Sequence, residues 1–235
     1  MPVFEALRSN PKRGRQQQAV RRPLRSSRWA VGLLVSLAGC YQPSDSELFR
    51  AAAEAAVRGE TDTIDVGDHG DIRDRDLDAL RKAIGLRNLR LDNTRVTDAG
   101  LRCLSDLQAI QWLSLSNTRV SDAGVKQLKT LTSLQFLRLD GDRVSDHCLS
   151  DLAAVPALRE LSLWKTAMTD DGLEAIGRMP QIRRLSLDET QISDAGLKHL
   201  YGLSSLEYLS VWGTKVTERG VERLRAALPD LQINR

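Results

Sequence analysis

At 235 residues, 41% hydrophobic and 28% charged, the chain fits one ordinary domain and can bury a core without metals or disulfides. Its formal charge of +3 is uneven: Lys12 and seven arginines (Arg8, Arg13, Arg15, Arg21, Arg22, Arg25, Arg28) against Glu5 give residues 1–28 a balance of +7, residues 29–39 carry no charge, and −4 remains from residue 40 onward. An acidic body argues against a nucleic-acid partner, and the scattered His69, His147 and His199 with no CxxC pair exclude zinc-site spacing.

The basic start leads into an apolar run, WAVGLLVSLA from Trp29 to Ala38, and a small-residue site at Gly39 and Cys40. Eleven residues from Trp29 to Gly39 are too few to span a hydrocarbon core of about 30 Å, so a signal peptide is expected over residues 1–39 rather than a membrane-spanning helix. Leu37, Ala38, Gly39 and Cys40 resemble the lipobox of bacterial lipoproteins. That resemblance implies cleavage before Cys40, lipidation of its thiol, and a membrane-anchored protein of the bacterial cell envelope, since two or more acyl chains hold firmly where one is marginal. Tyr41 stands where an Asp is associated with inner-membrane retention, so the leaflet stays open.

Residues 40–60 are expected to form a short tether and a helix, SDSELFRAAAEAAVRGE. Ser44 and Glu47 make a capping box, Gly59 suits the C′ position, and Leu48, Ala52, Ala55 and Ala56 lie near one face. This helix is expected to cover the open end of the stack of repeats beyond it. In residues 62–85, Ile64 and Val66 alternate as in a strand, while Ile72, Leu77 and Leu80 precede Val96, Leu101 and Leu104 by one 24-residue step. The strand is displaced by one residue from that phase, which an extra loop residue around Gly67–Gly70 reconciles.

The rest of the chain repeats. LRLDNTRVTDAGL begins at Leu89, and the pattern returns at 113, 137, 161, 185 and 209, a fixed 24-residue period. Within each copy the LxL pair alternates as a strand, and the apolar spacing after the turn reads as a short helix. Thr97, Ser121, Ser145, Thr169, Ser193 and Thr217 are placed to cap those helices, with Asp98, Asp122, Asp146, Asp170 and Asp194 complementing their positive ends.

These copies resemble the leucine-rich repeat family, in the variant LxxLxLxxTxVTDxGL. The resemblance covers about residues 62–233, within a repeat domain expected over residues 61–235, and implies an α/β solenoid, a horseshoe with a concave parallel sheet and convex short helices. Thr94, Thr118, Thr166, Thr190 and Thr214 take the family's asparagine position, whose buried polar side chain bonds the turn backbone. The third copy departs twice, with Asp142 for that Thr and Cys148 for the usual Gly, so residues 141–148 are expected to be irregular. Cys103 and Cys148, two repeats apart with strands about 4.8 Å apart, exceed the reach of a disulfide, roughly 7 Å between Cα atoms, and are expected as free thiols. The last copy reads as shortened by two residues, with Leu231 and Ile233 in a final strand whose edge, near Pro229 and Asp230, can template pairing with another chain. Oligomeric state does not follow from this.

Strand alternation directs Leu89 and Leu91 inward and positions 88, 90 and 92 outward. The outward columns are then Asn88, Trp112, Phe136, Glu160, Arg184, Tyr208; Arg90, Ser114, Arg138, Ser162, Ser186, Ser210; and Asp92, Ser116, Asp140, Trp164, Asp188, Trp212. In a chain with only 4% aromatics, three of the four tryptophans plus Phe136 and Tyr208 fall on this face. Exposed aromatics beside Arg138, Arg184, Glu160 and Asp188 are the material of binding hot spots, so Trp112, Phe136, Arg138, Glu160, Trp164, Arg184, Asp188, Tyr208 and Trp212 are the candidate partner-binding residues. Cross-strand aromatic pairs also stabilise sheets, by roughly 0.2–1 kcal/mol each, which is the competing explanation. Asp92, Asp140 and Asp188, on alternate strands about 10 Å apart, are too distant to share a calcium ion and read as solvated charges. With no nucleophile elbow, phosphate loop or HExxH motif, a non-enzymatic chain without cofactor is expected, binding a protein partner, or alternatively an envelope polysaccharide, or serving as a spacer.

Overall fold

The computed structural model describes residues 43–235; the leader, the lipobox and Cys40 lie outside the described residues. Helix α1 spans Asp45–Val57 and has the expected capping box: Glu47 N donates to Ser44 Oγ (3.3 Å) while Ser44 N donates to Glu47 Oε2 (2.8 Å). Gly59 just beyond it adopts φ +74°, the left-handed conformation that glycine takes without Cβ strain. The buried stripe differs from the expected one. Phe49, Ala53 and Ala56 face the core, whereas Leu48 and Ala55 are only half buried. Phe49 has the larger apolar surface to remove from water, and two alanines let the helix approach closely beside it.

Among the described residues eight three-residue strands form one parallel sheet in chain order. They are β1 (Thr63–Asp65), β2 (Asn88–Arg90), β3 (Trp112–Ser114), β4 (Phe136–Arg138), β5 (Glu160–Ser162), β6 (Arg184–Ser186), β7 (Tyr208–Ser210) and β8 (Gln232–Asn234). Leu89 pairs with Leu113, Leu113 with Leu137, and so on at 24-residue steps, but Ile64 pairs with Leu89, one residue beyond that step. The extra residue lies in the loop where Asp68 takes φ +73°.

At the other end, the expected two-residue shortening is not found. Ile233 pairs with Leu209 in the usual 24-residue register. The last convex segment is a continuous ten-residue helix, α8 (Glu218–Ala227), rather than one α-turn followed by a 3-10 turn. With about 1.5 Å of rise per residue against about 2.0 Å, the α-helix takes up the same chain in less length.

The leucines of every LxL pair, with Val96, Val120, Val144, Met168, Ile192 and Val216, form one continuous apolar core that also takes in Phe49 of α1. Cys103 and Cys148 are buried free thiols, as expected. Burial raises both thiol pKa values, that of Cys103 to about 12, so neither is a reactive thiolate at neutral pH.

The Thr and Ser caps are in place, for example Ala99 N donating to Thr97 Oγ1 at 3.2 Å. The aspartate that follows each cap does more than complement a helix end. Asp98 accepts from Ser121 N and Oγ (2.7 and 2.6 Å), Asp122 from Ser145, Asp146 from Thr169, Asp170 from Ser193 and Asp194 from Thr217. Each carboxylate thus ties its repeat to the cap of the next. The same carboxylates explain the glycine in TDAG: a Cβ at Gly124, Gly172, Gly196 or Gly220 would fall on Oδ1 of Asp98, Asp146, Asp170 or Asp194.

The third copy is irregular where expected. Cys148 has the Cβ that the glycines lack, and its turn opens as a 3-10 helix (Asp146–Cys148) before α5 (Leu149–Leu152), where the neighbouring copies open directly as α3 (Asp98–Leu101), α4 (Asp122–Val125), α6 (Asp170–Ile176) and α7 (Asp194–Leu197). Asp142 is 5% exposed and accepts from Thr118 N (2.7 Å) and Thr118 Oγ1 (3.0 Å). Thr94, Thr166, Thr190 and Thr214 instead donate to the carbonyl three residues back, at 2.6–2.7 Å.

Candidate partner-binding face

The sheet register brings the three expected columns together. Asn88, Trp112, Phe136, Glu160, Arg184 and Tyr208 are successive neighbours, extended by Thr63 at one end and Gln232 at the other. The outward direction of these positions does not make them all solvent-exposed. Trp112 and Phe136 stack with ring centroids 5.1 Å apart at 8°, and Phe136 is left 6% exposed. Phe136 is therefore a support for Trp112 rather than a free contact, because stacked parallel rings at one strand spacing cover each other's faces. Trp164 is half buried with Lys165 Nζ 5.2 Å from its ring centroid, and Trp212 is the most open of the three, at 37%.

The second and third columns correct the reading of Asp92, Asp140 and Asp188 as solvated charges. Asp92 is 3% exposed and accepts from Ser114 Oγ and from Ser116 N at 2.9 Å. Asp140 accepts from Ser162 Oγ (2.6 Å) and Trp164 N (3.0 Å), and Asp188 from Ser210 Oγ (2.6 Å) and Trp212 N (2.7 Å). On a curved sheet made of three-residue strands, small serines let neighbouring side chains close over the carboxylates. Burial raises the pKa of Asp140 and of Asp188; Arg138 opposes that rise at Asp140 and Ser210 opposes it at Asp188. The arrangement holds the backbones of Trp164 and Trp212 two strands apart, the first on the buried Asp140 and the second on the half-buried Asp188. Its trace in the sequence is an Asp in every second repeat, at 92, 140 and 188, answered by a Ser in the strand of the next, at 114, 162 and 210.

Between the aromatics lie two ion pairs. Arg138 Nε is 3.2 Å from Asp140 Oδ2, off the axis of a hydrogen bond, and Arg184 Nε is 3.9 Å from Glu160 Oε1. Burial raises the Glu160 pKa and Arg184 offsets part of that rise. At the first strand Arg90 meets Asp92 (2.7 Å), Asp68 (3.3 Å) and Asp65 (3.4 Å). Only the one-residue offset of β1 brings the two aspartates of the first repeat opposite Arg90, so the repeat period alone does not reveal this cluster. The face is thus aromatic, with its charges largely compensated in place. A hollow of about 400 Å3 lies elsewhere, between α1 and the first convex turns, lined by residues including Arg50, Glu54, Arg75 and Asp76, and shares no residue with this face.

Compared with protein-family models and with curated proteins, the chain finds no match. Among solved structures it is similar to internalin C2 of Listeria monocytogenes, at 20% identity over 84% of this chain and 99% of that one, with a TM-score of 0.58. It is also similar to a leucine-rich-repeat protein of Leptospira interrogans, at 19% identity and a TM-score of 0.51, over 67% of this chain and 45% of that one. The chain thus spans less than half the length of the Leptospira protein. A parallel sheet in strict chain order, 24-residue units and these two likenesses together give the stack from β1 to β8 the leucine-rich-repeat fold, an α/β solenoid with its sheet on the concave side.

Proposed function

We propose that this is a non-catalytic, lipid-anchored protein of a bacterial envelope that binds a protein partner through the concave face. The observation that carries this reading is the pair Trp164 and Trp212, held two strands apart by their backbone N–H groups on the buried Asp140 and the half-buried Asp188, with the Trp112–Phe136 stack on one side. Rigid aromatic side chains give much contact area for little entropy, and fixing their backbones reduces what is lost on binding. Tyr208 and the Glu160–Arg184 pair lie within the same face and supply polar contacts around those anchors. The membrane anchor rests on the lipobox and Cys40.

The test is capture of a partner from envelope extract by the chain and its variants. Trp164→Ala and Trp212→Ala should keep the cooperative unfolding transition nearly unchanged while lowering capture of the same protein at least tenfold together, since central aromatics typically carry about 2 kcal/mol or more. Undiminished capture would remove the concave face from the proposal. Fatty-acid labelling of the chain and of Cys40→Ala checks the anchor: label should be lost in the variant, and equal labelling of both refutes lipidation at Cys40.

A further inference from the structure

The concave aspartates repeat one arrangement at every second repeat, and its last copy lacks a part. Asp92 Oδ1 accepts from Ser114 Oγ and Ser116 N, and Arg90, two residues before it, puts its Nε 2.7 Å from Asp92 Oδ2. Asp140 Oδ1 accepts from Ser162 Oγ and Trp164 N, and Arg138 puts its Nε 3.2 Å from Asp140 Oδ2. Asp188 Oδ1 accepts from Ser210 Oγ and Trp212 N in the same way, but the residue two before it is Ser186, whose Oγ reaches Asp188 Oδ2 only at 3.4 Å. The triplets read Arg90-Leu91-Asp92, Arg138-Leu139-Asp140 and Ser186-Leu187-Asp188.

Asp188 has no ion pair among the described residues. Lys165, on the next rung, lies 3.8 Å from Glu189 and over the Trp164 ring, and Arg184, at the start of the same strand, lies against Glu160. Burial raises the Asp188 pKa and Glu189 adds to the rise, whereas Arg138 opposes it at Asp140. Asp188 is also the most open of the three, half buried where Asp92 and Asp140 are buried. Tryptophans flank it: Lys165 N donates to Asp188 O and Glu189 N to Trp212 O, which puts Trp164, Asp188 and Trp212 on three successive rungs about 4.8 Å apart.

We propose that Asp188 Oδ2 is the docking point for an arginine of the protein partner, whose guanidinium takes the place that Arg90 and Arg138 fill in the two earlier copies and lies between the indoles of Trp164 and Trp212. This rests on the concave face being the binding surface and names the chemistry that the face selects. A half-buried carboxylate without a cation attracts one more strongly than a solvated surface charge does, because the surrounding dielectric is lower. A guanidinium suits both features of the place: its fork donates to a carboxylate and its weakly hydrated plane stacks on aromatic faces, where an ammonium is a compact, strongly hydrated point charge. Arg90 and Arg138 show that the same sheet holds a guanidinium against such a carboxylate.

The experiment is titration of the full chain with a short capped peptide carrying one arginine between two leucines, followed by the indole N–H resonances in NMR, beside the same peptide with citrulline or lysine in place of the arginine. The arginine peptide should shift the Trp164 and Trp212 signals to saturation, and the other two should bind roughly three- to tenfold more weakly. Asp188→Asn keeps an acceptor for Ser210 and Trp212 and removes only the charge, so the fold should hold while the affinity falls by a similar factor. Ser186→Arg completes the triplet from within and should abolish peptide binding. Glu207→Gln removes an equal, exposed charge just before β7 and should change nothing. Absence of saturable shifts, citrulline or lysine binding as tight as arginine, equal loss in Glu207→Gln, or undiminished binding in Asp188→Asn or Ser186→Arg would each overturn the proposal. Capture of the envelope protein that survives Trp164→Ala and Trp212→Ala removes the concave face itself; capture lost in those variants but kept in Asp188→Asn overturns only the arginine.

Discussion

Asp142 is where one side chain changes the behaviour of a whole repeat. Its Oδ1 accepts two hydrogen bonds from Thr118, while its Oδ2 is buried without a partner among the described residues. Burial raises its pKa from the usual carboxylate range to about 7, against the two Thr118 bonds that pull it down. The folded chain therefore holds this proton more tightly than the unfolded chain does. The stabilisation is fully present below the unfolded pKa of about 4 and is lost as pH rises through 7. At about 1.4 kcal/mol for each pH unit in that window, Asp142 withholds a few kcal/mol at pH 8. Asp142→Thr, which restores the residue of the other copies, should raise the denaturation midpoint at pH 8 and flatten its dependence between pH 4 and 7, as read by urea unfolding at several pH values. An unchanged slope would mean that this carboxylate does not titrate in that window.

At the scale of the element, each turn is coupled to the next by a carboxylate bridge and a glycine. Asp170→Ala would leave Ser193 N–H and Oγ–H without their acceptor in a partly buried place. Loss of such an acceptor costs about 1–3 kcal/mol, and Gly196→Ala, whose Cβ would collide with the same Asp170 Oδ1, should cost a similar amount by overpacking. Because both act on one contact, the double variant Asp170→Ala with Gly196→Ala should cost less than the sum, which a double-mutant cycle in chemical denaturation measures. Strict additivity would contradict the shared contact. The concave aspartates belong to this scale too: strand alternation is enough to place their column, but not their partners, because Ser114, Ser162 and Ser210 become neighbours of those carboxylates only when adjacent strands pair.

At the scale of the molecule, the repeats make one continuous core whose first layer is covered by α1. Repeat stacks gain stability from neighbour interfaces, so an end layer matters in proportion to what covers it. Phe49, with no exposure to solvent, is the largest side chain that α1 puts into the core. Phe49→Ala should cost about 3–5 kcal/mol, against less than about 1 kcal/mol for Leu48→Ala on the half-buried flank, in thermal or urea unfolding. Equal effects would mean the helix packs on the face read from its alanine spacing.

The repeat length, the strand positions up to β7, the three columns, the caps and the irregular third copy were legible in the chain, because each depends on contacts within a few residues or on a strict period. A 24-residue repeat fixes which residue lies beside which, and strand alternation fixes which side it leaves from. Tertiary structure alone decided which outward positions stay open to solvent. Phe136 closes under Trp112, and Asp92 and Asp140 sink beneath neighbouring side chains, because exposure on a curved sheet depends on the sizes of residues from three strands at once. It decided the last register as well, since the number of residues a convex segment consumes depends on whether it winds as α or 3-10 helix. The sequence determined the ladder and its spacing; packing between rungs decided which of its side chains a partner can reach.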